Sequence, residues 1–205
     1  MTPKTINDEN MDFKEQLKVA ICKSDIDFLE HNRGKYAINE RFEDEDNDTL
    51  LLYSISDSGS DTFDYFLKNN ADVTLVNNEG ESILHAIVYS GVAERLMQVL
   101  NAYKVDINCR TKDGATPLLL ALSTEQLEIA DLLIKYGADI NIADVDGITP
   151  LHLSVQLDEL SLVASLVEKG ADLFAKTLNG NLALALAVNA EHDDIVKYLY
   201  HKIYK

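Results

Sequence analysis

The chain has 205 residues, 46% hydrophobic and 26% charged, proportions that suit a soluble, well-packed unit of ordinary size. Its formal net charge of -17 excludes a nucleic-acid binder, because phosphate contacts need clustered Lys and Arg and no such stripe occurs. Cys22 and Cys109 are the two cysteines, one in an expected helix and one in an expected loop, which argues against a disulfide framework and for a reducing compartment.

In chain order, Met1 to Asn10 is polar, mixed in charge and lacks the apolar core of a signal peptide; it is expected to be a disordered tail. No run approaches the ~18 apolar residues of a membrane span, so a cytoplasmic location is expected. Asn47-Asp48-Thr49 matches a glycosylation acceptor, a pattern without weight unless the chain is secreted. Apolar spacing over residues 13–21, and again from Ile26 to Leu29, predicts two short helices, with Arg33-Gly34 expected to close the second. An acidic stretch follows: between Glu40 and Asp64 nine carboxylates face one base, Arg41.

Beyond it the sequence repeats itself. Asp113-Gly114, Asp146-Gly147 and Asn179-Gly180 stand 33 residues apart (147 − 114 and 180 − 147). Thr116-Pro117-Leu118 returns as Thr149-Pro150-Leu151-His152, and Gly137-Ala138-Asp139 returns as Gly170-Ala171-Asp172. One step earlier Gly80, Ser82 and His85 hold the same frame at an interval of 34 (114 − 80), the extra residue falling near Tyr103-Lys104 between helix and loop. Thr49-Leu50-Leu51-Leu52 and Asn70-Ala71-Asp72 are a weaker copy. Threonine before proline predicts capped helices starting near Pro117 and Pro150, and Gly137 and Gly170 predict left-handed helix ends. The run Leu127, Ile129, Ala130, Leu132, Leu133 and Ile134 is too densely apolar for a solitary helix, so neighbouring units must cover both its flanks.

This period, with T-P-L-H-L-S at residues 149–154 against a family signature of T-P-L-H-x-A, resembles the ankyrin-repeat family from about residue 45 to 205. The resemblance implies an all-α ankyrin-repeat solenoid of about six stacked helix-turn-helix units with short β-turn loops. Residues 11–205 would form one domain: a degenerate N-terminal cap at 11–44, repeats at 45–77, 78–111, 112–144 and 145–177, and a C-terminal cap at 178–205. Terminal units must turn one face to water. Val196, Leu199 and Ile203 are accordingly expected to face inward, and Asp193, Asp194, Lys197, Lys202 and Lys205 outward. Ala86, Ala121, Ser154 and Ala187 are the small residues expected where first helices approach closely.

Chemistry finds no foothold. His85 and His152 occupy the family's T-P-L-H position, where the resemblance assigns the imidazole to tying neighbouring loops together, not to a metal. His192 stands at a consensus turn position, and His31 and His201 have no ligand partner at metal spacing. Residues 43–48 lack the central glycine of a calcium loop, and the twelfth position from Asp44 is Ile55. No phosphate loop, nucleophile elbow or Cys-His pair occurs, so no catalytic residue, cofactor or metal is expected.

The resemblance implies a non-catalytic protein-binding scaffold that grips its partner with loop tips and first-helix surfaces lining a concave groove. The frame then nominates Glu45, Asp46, Asp48 and Asp57; Glu79, Glu81 and Tyr89; Lys112, Asp113 and Tyr136; and Asp146, Ile148 and Leu157. The density of carboxylates points to sequestration or inhibition of a basic partner, with the free chain a monomer. The other reading is an adaptor or secreted effector that bridges signalling or host proteins through apolar loop residues such as Ile148 and Leu157.

Overall fold

The computed structural model describes residues 11–55 and 60–204, so the expected tail at 1–10, the candidate Asp57 and the expected outward-facing Lys205 lie outside the described residues. The chain forms two compact units, residues 1–86 and 87–205, the division falling inside helix α5 (Ile83–Ser90).

The first unit opens with α1 (Phe13–Cys22) and α2 (Ile26–His31), the two short helices that the apolar spacing predicts. The carboxylates of Asp12 and Asp25 accept from the backbone N–H of Glu15 and Phe28, each at 2.9 Å, so both helix starts are capped. The expected glycine closure at Arg33-Gly34 is not used. Helix α2 already ends at Asn32, whose N–H bonds Phe28 O, and Gly34 stays out of the left-handed region. A two-residue antiparallel pair follows, β1 (Arg41–Phe42) with β2 (Asp48–Thr49), turned by Asp46 and Asn47 at φ 47 and 61. Thr49 then caps α3 (Leu50–Tyr53), and α4 (Ser60–Lys68) runs on to a left-handed Asn70. Leu17, Ile21, Leu29, Phe42, Leu50, Phe63 and Phe66 are sealed from solvent in this core. Each such side chain contributes about 1.5–3 kcal/mol relative to exposure.

In the second unit α6 (Ala93–Ala102) precedes three helix pairs: α7 (Pro117–Ser123) with α8 (Leu127–Lys135), α9 (Pro150–Gln156) with α10 (Leu160–Glu168), and α11 (Ala183–Asn189) with α12 (Asp193–Tyr204). Thr116 and Thr149 cap α7 and α9, each with proline in the first turn, whereas Leu182, at the same place before α11, has no side-chain cap to give. Glu125, Asp158 and Glu191 take positive φ inside the three pairs, and Gly137 and Gly170 end α8 and α10 as expected. At the 34-residue interval Tyr103 is extended, and α6 has 10 residues where α8 and α10 have 9.

Ala121, Ser154 and Ala187 are fully buried where α7, α9 and α11 pack side by side. Ala86 does not belong with them. It is half-buried, and the residue five past Ser82, matching Ala121 five past Thr116, is the fully buried Ile87. On α12, Leu199 is buried and Val196 and Ile203 are half-buried, while the sealed Ile195 was not foreseen; Asp193, Asp194, Lys197 and Lys202 are exposed as expected.

His152 links neighbouring turns, as the resemblance implies. Its Nδ1 accepts from the Thr149 N–H at 3.2 Å, and its Nε2–H donates to Asn181 O at 3.2 Å. Only the neutral ring makes both bonds, and burial holds the His152 pKa below its usual value. Between the folded and unfolded pKa values the unfolded chain therefore binds more protons, so this stability is fully present above the unfolded pKa of about 6.5 and is lost as pH falls below it. Urea unfolding of wild type and His152→Gln should show a penalty for the substitution at pH 7 that shrinks toward pH 5; a constant penalty would remove the neutral-ring account.

Turn glycines differ in what a side chain would meet. At Gly147, φ 74, a Cβ would lie 2.8 Å from Lys176 O, whereas at Gly180, φ 77, nothing stands within 4 Å. Gly180→Ala should cost about 1–2 kcal/mol, the left-handed term alone. Gly147→Ala should cost clearly more by the same denaturation assay, and equal losses would contradict the close approach.

Candidate protein-binding site

Within each unit most of the candidate positions stand on tight turns, and the backbone explains why. In the second unit the turns at 111–115, 144–148 and 177–181 each close by paired backbone bonds; Asp144 N–H donates to Ile148 O at 3.1 Å and Gly147 N–H to Asp144 O at 3.1 Å. The last two of these turns also bond the one before. Val145 N–H donates to Asp113 O at 3.0 Å, and Leu178 N–H donates to Asp146 O at 2.7 Å. A second ladder runs through side-chain amides: Asn108 and Asn141 Oδ1 accept from the N–H of Asp139 and Asp172, each at 2.8 Å. With the backbone so engaged, side chains at the tips point to water, and Val145 and Leu178 are 55% and 75% exposed.

The first unit repeats both ladders, with Asn78 N–H bonded to Asp46 O at 2.7 Å and Asp72 N–H to Asn39 Oδ1 at 2.8 Å. Its acidic turn is not left unbalanced. Lys18, nearly buried on α1, places its ammonium against Asp44 and, at 3.1 Å, Glu45, and lies 5.3 Å from the Phe42 ring centroid. Burial works to lower the Lys18 pKa, but the bonds to Asp44 and Glu45 outweigh it and raise the pKa above the usual value. The same bond to Lys18 holds Asp44 below the ordinary carboxylate range. Arg41 spans the turn, donating from Nη1 to Asn47 O and Val76 O, each at 2.8 Å.

The nominated residues therefore occupy different settings. Glu45 is exposed but paired with Lys18; Asp46 and Glu79 are exposed at adjoining turns. Asp48 and Glu81 turn inward to share the amide of Asn77, at 3.0 and 2.8 Å, and burial pushes the Asp48 pKa up. In the second unit Lys112, Asp113 and Asp146 are exposed on turn tips, while Ile148 is half-buried. Tyr89, 58% exposed, lies in the last turn of α5 and not beyond it, and Leu157 is the half-buried C-cap of α9. Tyr136 does not join the turns: it is the C-cap of α8, its hydroxyl donating to Asn101 Oδ1 on α6 at 3.1 Å.

Sequence reasoning passed over the most exposed apolar side chains of the turn side, Leu178 and, at 64%, Phe174. The signal was present, since Leu178 stands 33 residues after Val145 (178 − 145). Among the described residues no group of three or more His, Cys, Asp and Glu side chains is placed to hold a metal, and no helix is long and apolar enough to cross a membrane.

A family model described as "Ankyrin repeats (3 copies)" matches residues 51–144 and 140–205. An ankyrin repeat protein of Fowlpox virus (strain NVSL) is 32% identical over 91 residues, covering 42% of this chain and 26% of the viral protein, so the chain spans about a quarter of that relative's length. Ankyrin repeats generally serve as non-enzymatic scaffolds for protein-protein interaction. The 33-residue turn ladder, the Thr-Pro helix starts and the His152 bridge agree with these matches, and the chain belongs to the ankyrin-repeat family.

Proposed function

We propose that this chain is a non-catalytic scaffold that sequesters a basic partner protein through the acidic turns of its first unit, as a monomer in the cytoplasm, with caps at 11–44 and 178–205. The observation that carries this reading is the exposure of Glu43, Asp46 and Glu79 on adjoining turns held by the Asp46–Asn78 backbone bond. Lys18 and Arg41 are the cations tied into this region, set against Glu43, Asp44, Glu45, Asp46 and Asp48, so a negative field remains on a shaped surface. Fixed carboxylates of this kind raise the association rate of a basic protein by ~10-fold or more, and salt screens the effect.

A second reading has its own support. Val145 and Leu178 present apolar side chains from successive turns of the second unit, as an adaptor reading requires. Charge-reversal at Glu43, Asp46 and Glu79 and truncation of Val145 and Leu178 to Ala separate the two, with binding followed by surface plasmon resonance on partners captured from the source cell. The acidic reading expects the charge-reversed chain to lose ~10-fold or more in association rate, with wild-type binding weakening as salt rises. Affinity untouched by charge reversal but lost on truncation would transfer the function to the apolar row.

A further inference from the structure

Asn179-Gly180 is the one place in the sequence where asparagine precedes glycine. Asparagine in that setting is chemically labile, because a following residue without Cβ leaves its backbone nitrogen open to the carboxamide carbon. The fold keeps the pair accessible, with Asn179 and Gly180 both exposed. That exposure belongs to the position in the turn. Asp113 and Asp146, 66 and 33 residues earlier (179 − 113 and 179 − 146), are exposed too, although another turn follows each. The same two aspartates show what the position tolerates. Each stands before a left-handed glycine, as Asn179 does before Gly180 at φ 77, and with a carboxylate there the turn and its ladder bond are intact.

We propose that Asn179 is a site of spontaneous deamidation whose rate the turn itself governs. The nitrogen of Gly180 attacks Cγ of Asn179; a new C–N bond forms, the carboxamide C–N bond breaks, and the side-chain nitrogen leaves as ammonia with the proton from Gly180. Water then opens the five-membered imide at either carbonyl. One opening gives aspartate, the residue that the sister turns already carry. The other gives isoaspartate, which routes the main chain through Cβ and Cγ. Either product adds a negative charge beside Leu178, whose side chain is 75% exposed. The closed turn opposes the attack. Gly180 N–H donates to Thr177 O at 2.8 Å, so the proton that must leave is held in a bond. Around it Thr177 N–H donates to Asn181 O at 3.0 Å, Asn181 N–H to the Thr177 hydroxyl at 3.2 Å, and His152 Nε2–H to the same Asn181 O at 3.2 Å. Reaction therefore waits on local opening of the turn. The inference uses neither the acidic turns nor the identity of a partner.

The test incubates the full chain in mildly alkaline buffer beside a synthetic peptide of residues 175–183, and follows the amide-to-acid mass increase at each asparagine by proteolysis and mass spectrometry. Asn179 should convert first among the asparagines of the described residues, yet roughly ten-fold or more slower in the folded chain than in the peptide. In the peptide, where no fold is at stake, Gly180→Ala should slow conversion by about ten-fold, since the methyl group screens the attacking nitrogen. Asn179→Asp should leave the urea-unfolding curve of the full chain unchanged. Conversion of another described asparagine ahead of Asn179 would overturn the site, and an unchanged rate in the Gly180→Ala peptide would overturn the imide route. Equal rates in chain and peptide would overturn control by the turn.

Discussion

Within each unit the turns depend on one backbone interaction, the bond from a tip residue of one turn to the Asp carbonyl of the turn before it. Val145 to Asp113 and Leu178 to Asp146 are instances in the second unit, and Asn78 to Asp46 is their counterpart in the first. Because both partners are main-chain groups, the tip side chains are free to vary without loss of the ladder. Asparagine 78, valine 145 and leucine 178 thus stand in equivalent places with different chemistry. The side-chain ladder from Asn108 and Asn141 to the following Asp N–H groups adds a second tie that does depend on residue type.

This division of labour separates what holds the fold from what meets a partner. The sealed positions Ala121, Ser154 and Ala187 set how closely first helices approach, and His152 spans from its own helix cap to the next turn. Neither can change without cost, because a larger side chain overpacks and a lost imidazole leaves buried polar groups unmet. Surface charge follows another logic. Nine carboxylates crowd residues 40–64, where the fold leaves the side chains of Glu43 and Asp46 at the surface.

Most of the framework was readable before any coordinates, because a repeat supplies its own internal comparison. Thr149-Pro150, Gly137, Gly170 and the T-P-L-H histidine each carry a local reason for their place. Errors arose where that comparison was weak. At Ala86 the Ser-Ile-Leu-His start replaces Thr-Pro, and the small-residue position was assigned one residue early. At Gly34 the first unit departs from the pattern, and Asn32 ends the helix instead. The pairing of Lys18 with Asp44 and Glu45 was invisible, since it joins α1 to a turn 26 and 27 residues away with no second copy to reveal it. The β1–β2 pair was missed because two residues carry no alternation to read. Partner choice stays least legible, for the tips that would decide it are the positions that the fold leaves unconstrained.

Native-state hydrogen exchange at the amides of Val145 and Leu178 tests the turn ladder most directly. These side chains are 55% and 75% exposed, so side-chain burial alone offers their amides little shelter. The ladder predicts protection well above that of an unstructured peptide, lost together with the neighbouring turns when the stack opens. Exchange of both amides at the unstructured rate would contradict the account.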